Sequence, residues 1–240
     1  MWYKFLMIDK LEQEALDFIK KKENYKKIIE RFAGKDFISE GLPISLFMAG
    51  SPGAGKTEIS KRLVETFEVD RKARIVRIDP DEIRELLPGY NGNNSNLFQG
   101  ACSVGVEKIH DYVLSADKSF LLDGTFSNYE RAKNNIERSL NKRRFVTLVY
   151  VYQDPLIAWE LTKKREALDG RFVPKEAFIR HFFGARDTVN KIKAEFGNAI
   201  QAHLIERNMH SPDYKIQLNI KNVDDFVEIK YTEDTLKTSI

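Results

Sequence analysis

At 240 residues, with 42% hydrophobic and 31% charged side chains, the chain has apolar material for one substantial core and is not disordered as a whole. Its 39 basic and 36 acidic residues nearly cancel to +3, which argues against a nucleic-acid partner, and the lone Cys102 excludes an intrachain disulfide and fits a reducing compartment. No run reaches the roughly 18 apolar residues of a membrane span, and the start MWYKFLMID is broken by Lys4 and Asp9, so a cytoplasmic protein with no membrane partner is expected.

In chain order, residues 9 to 33 space Leu11, Ala15, Phe18, Ile19, Ile28, Ile29 and Phe32 as amphipathic helices, with the lysine-rich KKKENYKK as a solvated face. Residues 1–40 are therefore expected to form a helical extension to a domain spanning 41–240. ISLFMA (44 to 49) is a buried-strand candidate that stops at Gly50. Further strands are expected at 73–78, 119–123, 145–152 and 214–220, and helices at about 56–68, 82–87, 99–117, 128–142, 155–168 and 174–206. Strands alternating with helices of this length predict an α/β fold: a mainly parallel, five-stranded sheet with helices on both faces. NGNNSN (91 to 96) is an exposed loop, and FVEIKY in the tail is a candidate edge strand. His110, His181, His203 and His210 show no metal-ligand spacing, and Cys102 fills space in a helix.

The strongest chemical signal is GSPGAGKT, Gly50 to Thr57, which fits G-x-x-x-x-G-K-[ST] between an apolar strand and a helix. Gly50, Gly53 and Gly55 let backbone N–H groups wrap an anionic phosphate, and the following helix adds the positive end of its dipole. Lys56 supplies a charge to the β- and γ-phosphates and the Thr57 hydroxyl a ligand for Mg²⁺. The cofactor-binding stretch runs through Gly50, Ser51, Pro52, Gly53, Ala54, Gly55, Lys56, Thr57 and Glu58, which makes a P-loop fold with ATP or GTP and magnesium the expectation.

Ligands bind beyond the carboxyl ends of the strands in such a sheet, so the other strand ends matter. One carries Asp79-Pro80-Asp81, which caps a helix or supplies a base. Another carries Asp123-Gly124-Thr125. The later KKREALDGRFVPKE offers Lys163, Lys164, Arg165 and Arg171 as a lid able to neutralise a transferring phosphoryl group. Neither an effector domain nor a GTPase base-reading motif accompanies the P-loop, which favours a kinase over a motor or switch.

Together GSPGAGKTEIS, IDPDEIRELLPGY, LLDGT and KKREALDGRFVPKE, in this order over residues 44 to 190, resemble the zeta-toxin family of P-loop kinases. The resemblance implies transfer of the γ-phosphate of ATP to a sugar hydroxyl, with the 3′-hydroxyl of the amino sugar of UDP-N-acetylglucosamine as the leading acceptor. It also implies an antitoxin protein as partner. On matching positions, Asp81 is the general base, Lys56 the P-loop lysine, and Arg165 and Arg171 the transition-state arginines. Asp123 and Thr125 fall on the substrate-binding Glu-Gly-Thr. Asp81 also counts as substrate-binding, and Arg84, one turn on, holds the base ionised or meets the substrate. Thr57 and Asp123 are the metal candidates.

Three departures stand out. Asp123 is one methylene shorter than the family glutamate and either reaches the substrate less directly or shares the magnesium shell. Ser127 replaces an arginine of the UDP-sugar enzymes. Arg165 and Arg171 lie only six residues apart. The alternatives are a P-loop kinase of another acceptor (a nucleotide, an antibiotic or a polynucleotide end) and a nucleotide-binding regulator without catalysis. Residues 1–40 lie outside the matched core, and a helix packed on the core is preferred there to an internal inhibitor.

Overall fold

The structure, a computed structural model, describes residues 2–71, 74–207, 214–228 and 230–240. The chain opens with helices α1 (Trp2–Lys20) and α2 (Lys22–Ala33), then strand β1 (Ile44–Ala49) and α3 (Lys56–Arg71). β2 (Val76–Ile78), the short α4 (Pro80–Arg84), α5 (Gln99–Ser115), β3 (Phe120–Leu122) and α6 (Tyr129–Asn141) follow. The second half contains β4 (Phe145–Tyr152), α7 (Pro155–Asp169), α8 (Lys175–Phe196), β5 (Gln201–Arg207), β6 (Tyr214–Gln217) and α9 (Glu233–Ser239).

The strands form one sheet in the order β2-β3-β1-β4-β5-β6, parallel except for β6, which runs antiparallel to β5. β1 lies at the centre, with Leu46 level with Leu121 of β3 and Thr147 of β4. Both faces are covered, which is why ISLFMA and FVTLVYVY are nearly unbroken apolar runs. Alternate residues separate to the two sides. Phe47, Ala49, Phe120, Leu148 and Tyr150 join a large core with residues of α1, α2, α5, α6 and α8, whereas Leu46, Met48, Leu121, Val149 and Val151 meet Ile59 and Leu63 of α3. A third cluster beneath α7 contains Ala158, Phe178, Phe182 and Leu236.

Among the described residues the sheet has six strands, not five. The helix expected over 174–206 stops at Phe196, because Gly197 at φ 49° ends it, and residues 201–207 form β5 instead. There the period changes to two. Ala202 and Leu204 enter the large core and Ile205 the α3 side, a pattern that a helical count of Ala, Leu and Ile conceals. The tail holds a short turn at Val223–Asp225 and then α9, with no strand at FVEIKY among its described residues. Residue 73, at the start of the second expected strand, and His210 lie outside the described residues.

At the front, Ala15, Ile19, Ile28 and Phe32 are buried in the large core, packed on α5. The Lys118 ammonium donates to the carbonyls of Ala33 (2.7 Å) and Gly34 (3.0 Å), tying the end of α2 to the sheet. Among the described residues no helix is long and apolar enough to cross a membrane.

Candidate active site

β1 delivers the chain at Ala49 into a loop that re-enters helix at Lys56. Gly53 and Gly55 take φ 73° and 90°, and a Cβ on either would collide: 2.0 Å from the Ala158 carbonyl oxygen and 2.4 Å from the Arg207 guanidinium. Glycine is needed there for backbone and space alike. The Lys56 ammonium folds over the loop and donates to the carbonyls of Gly50 (2.9 Å) and Ser51 (2.7 Å). Burial lowers its pKa to about 8, against the pull of Asp123, Asp81 and Asp79. Glu58 points the other way and accepts from Arg62 (3.1 Å), Arg207 (3.2 Å) and Tyr214 (3.1 Å).

At the end of β2 the two aspartates divide. Asp79 is the cap of α4, accepting from the Asp81 N–H at 2.8 Å while Pro80 fixes the first turn. Its carboxyl is pushed up to about 6 by burial and by the neighbouring Asp81, despite Arg77 beside it. Asp81 projects outwards, one side-chain oxygen accepting from Arg84 Nη1 at 2.6 Å and the other from Arg171 Nη1, with Arg165 Nη2 at 3.9 Å. Residues 90 positions apart thus meet at one carboxylate. They meet because α7 ends at Gly170 in a left-handed turn that swings Arg171 back over the sheet. Arg84 is buried against the Cys102 thiol, which burial pushes up to about 11, an inert packing cysteine. That placement suits Arg84 to holding Asp81 and leaves it little surface for a substrate.

At the end of β3, Asp123 is buried and accepts from Ser60 Oγ (2.8 Å) and Arg77 Nη2 (2.9 Å). Thr125 lends its carbonyl to the Gly50 N–H of the P-loop at 3.1 Å. Its hydroxyl lies 3.0 Å from Ser127 Oγ, which in turn lies 2.7 Å from Nδ1 of His181 on α8. A cavity of about 440 Å³ opens beside Arg171, lined by Asn93, Lys163, Glu166, Gly170 and Phe172.

The structure thus brings Asp81, Arg84, Arg165 and Arg171 into one cluster and sets Asp123 and Thr125 beside the P-loop, as the strand-end logic expects. It adds residues that logic does not reach. Arg77 bridges Asp79, Asp123, Glu82 and Ser60 Oγ, and so sets the spacing of the whole rim. The second arginine of RIVRI, between Val76 and Ile78 just before DPD, is its sequence signal. His181 has none, and Arg207, the last residue of β5, lies just beyond the helix expected over 174–206.

The residues fit a magnesium nucleotide. The loop turns on glycines at positive φ, packed so closely that a Cβ on Gly50 or Gly53 would strike the Val151 or Ala158 carbonyl oxygen. Mg²⁺ takes few protein ligands and keeps water and phosphate oxygens, a demand that a Thr57 hydroxyl and an Asp123 carboxylate can meet. Among the described residues no cluster of three or more His, Cys, Asp or Glu side chains offers a protein-only metal cage.

A family model described as Zeta toxin matches residues 30–219. A structure from the PezAT chromosomal toxin–antitoxin system of Streptococcus pneumoniae is similar with TM-score 0.61 at 19% identity, over 78% of this chain and 77% of that one. The AvrRxo1-ORF1:AvrRxo1-ORF2 complex with sulphate ions gives TM-score 0.62 at 14% identity, over 90% and 70%. The complex crystallised with ATP gives 0.59 at 14%, and there the match spans 87% of this chain and 65% of the other. At such identities the likeness establishes the fold. No curated protein matches the chain.

Proposed function

The chain belongs to the zeta toxin family, and on that footing we propose that it is an ATP-dependent kinase of a small hydroxyl compound, with UDP-N-acetylglucosamine as the leading acceptor. The observation that carries the proposal is the convergence of Arg165 and Arg171 on Asp81, across the rim from the P-loop lysine. A carboxylate to take a proton, cations to neutralise a phosphoryl group and a phosphate cradle are what phosphoryl transfer to a hydroxyl requires.

In the proposed reaction Asp81 accepts the proton of the acceptor hydroxyl as its oxygen bonds to the γ-phosphorus. The bond from that phosphorus to the β-phosphate bridging oxygen breaks, releasing ADP. The Lys56 ammonium and the backbone N–H groups of Gly53, Gly55, Lys56 and Thr57 hold the β- and γ-phosphates. Thr57 and Asp123 would hold a magnesium ion, which would supply charge neutralisation to the phosphates. Arg165 and Arg171 leave Asp81 for the γ-phosphoryl oxygens, which frees the carboxylate to act as base only when a nucleotide is present. Thr125 binds the acceptor.

Incubation with Mg-ATP and UDP-N-acetylglucosamine, followed by mass spectrometry for a gain of one phosphate, is the direct test. A gain on another species in a metabolite extract would redirect the acceptor, and no gain on any would remove the kinase. The AvrRxo1-ORF1 complexes and the PezAT system support an antitoxin-like partner, to be sought by co-purification. Residues 1–40 are proposed as a packed extension of the kinase domain at 41–240. Its deletion should lower Tm and leave no gain in specific activity, whereas increased activity would make the arm an inhibitor.

A further inference from the structure

We propose that Thr125, Ser127 and His181 form a neutral hydrogen-bonding subsite that takes an uncharged hydroxyl or amide group of the phosphate acceptor. His181 acts there as a positioning residue for the two hydroxyls. The inference rests on the kinase reading and narrows its substrate class at one place on the rim.

The geometry is that of a built chain. Phe126, between the two hydroxyl residues, takes φ 57° and turns its ring towards Phe47 of the core, 6.1 Å between centroids. With that ring inward, Thr125 and Ser127 share one side, their hydroxyls 3.0 Å apart. Helix α8 then approaches so closely that a Cβ on Gly184 would stand 3.0 Å from the Ser127 carbonyl oxygen and 3.3 Å from its Cβ. That approach brings the His181 ring to Ser127 Oγ. At the other end Thr125 is bonded through its carbonyl to Gly50, one hydrogen bond from the P-loop.

Every member of the chain is neutral. Burial, with Arg180 and Lys56 nearby, lowers the His181 pKa to about 4, so the imidazole is uncharged at neutral pH. Two hydroxyls and one neutral imidazole carry more hydrogen-bonding capacity than the two internal contacts consume. If Nδ1 accepts from Ser127, then Ser127 accepts from Thr125 and the Thr125 oxygen keeps free lone pairs. If Nδ1–H donates, one hydroxyl proton is left to give. Either arrangement matches a ring hydroxyl or an amide. Neither offers the charged, forked donor that a phosphate selects. Of the cations of this rim, Arg84, Arg165 and Arg171 gather on Asp81, Arg77 is held by Asp79 and Asp123, and Lys56 folds onto the P-loop carbonyls.

The test begins with wild-type protein, Mg-ATP, UDP-N-acetylglucosamine and a metabolite extract, to identify the species that gains a phosphate. Steady-state constants for that species are then compared for Ser127→Ala, His181→Ala, His181→Asn and the double alanine variant. Removing one hydrogen bond from this half-buried site should raise the acceptor KM about tenfold, while the ATP KM and Tm stay near wild type. The double variant should cost no more than the worse single one, since both break one chain. His181→Asn, which restores a polar atom near Nδ1, should recover much of the loss. An unchanged acceptor KM in Ser127→Ala overturns the subsite. So does a parallel rise of both KM values with a fall in Tm, the mark of a tie that only holds α8. A wild type that phosphorylates nothing sinks the kinase reading itself and the subsite with it.

Discussion

The two ends of the sheet use buried charge in opposite ways. At the amino end of the strands, Arg144 donates to Ser45 Oγ (2.7 Å) and to the carbonyls of Ile44 (3.0 Å) and Lys118 (2.5 Å), and stacks on Phe120 at 5.1 Å. Lys118 beside it ends on the carbonyls of α2. These cations are buried and meet neutral acceptors, backbone carbonyls and one serine hydroxyl. At the carboxyl end, Arg77, Arg84, Arg165 and Arg171 meet Asp79, Asp81 and Asp123, which are charges that an incoming phosphate can displace. Side-chain exposure grades the carboxyl end itself: Arg84 is 7% exposed and Arg165 43%, so the partners of Asp81 range from fixed to movable. Cations on carbonyls hold the fold, and cations shared among carboxylates are available for chemistry.

The sharpest way to break this contrast is at the carboxyl end. Asp81→Asn should lower kcat by about 10²- to 10⁴-fold with nucleotide binding retained, measured by steady-state kinetics beside nucleotide titration. Lys56→Ala should lose binding as well. In both, Tm should move by only a few degrees, and a normally active Asp81→Asn would remove Asp81 from the mechanism. The mirror experiment is Arg144→Met. With several buried acceptors left without a donor, it should cost about 2–4 kcal/mol and lower Tm by roughly 5–15 °C, while the folded fraction keeps its kcat. Loss of kcat there at full folding would end the division of labour.

The pH dependence sharpens the comparison. Because burial lowers the Lys56 pKa to about 8, the free protein loses the P-loop cation as pH rises through 8. Bound phosphate favours the charged form, so nucleotide affinity should fall above pH 8 and binding near that pH should take up protons. Calorimetry in buffers of different ionisation enthalpy reads this directly, and buffer-independent heats would contradict it. The smallest effect is expected at Asp79. Its folded-state pKa is raised to about 6, so its contribution to stability is complete below its unfolded value near 4 and is lost as pH rises through 6. Asp79→Asn keeps an oxygen for the cap and lacks that titration. Thermal melts from pH 4 to 7 should show the wild type losing ground to the variant across that window.

Much of this was legible beforehand because local sequence carries it. A P-loop is a backbone shape, and glycines at fixed offsets before Lys-Thr specify that shape without help from distant residues. Unbroken apolar runs announce strands covered on both faces. Asp-Pro-Asp announces a cap, and α4 is capped by Asp79 as that grammar requires. Where local grammar was ambiguous, the reading failed. AIQAHLIER supports either period, and its identity as β5 was decided by Gly197 and by free edges on β4 and β6 that needed a partner.

The sequence by itself therefore determined the α/β class, the phosphate cradle and the strand ends at which polar chemistry gathers, because each follows from spacing within a dozen residues. Only the tertiary structure decided that Arg171 rather than solvent meets Asp81, that Arg77 joins three carboxylates into one rim, and that His181 closes on Ser127. The Arg171 and His181 pairings depend on how α7 and α8 lie over the sheet, and that of Arg77 on β2 lying beside β3. The helix crossings are fixed by how the third core cluster packs between α7, α8 and α9, a sum of many small contacts that no short motif records.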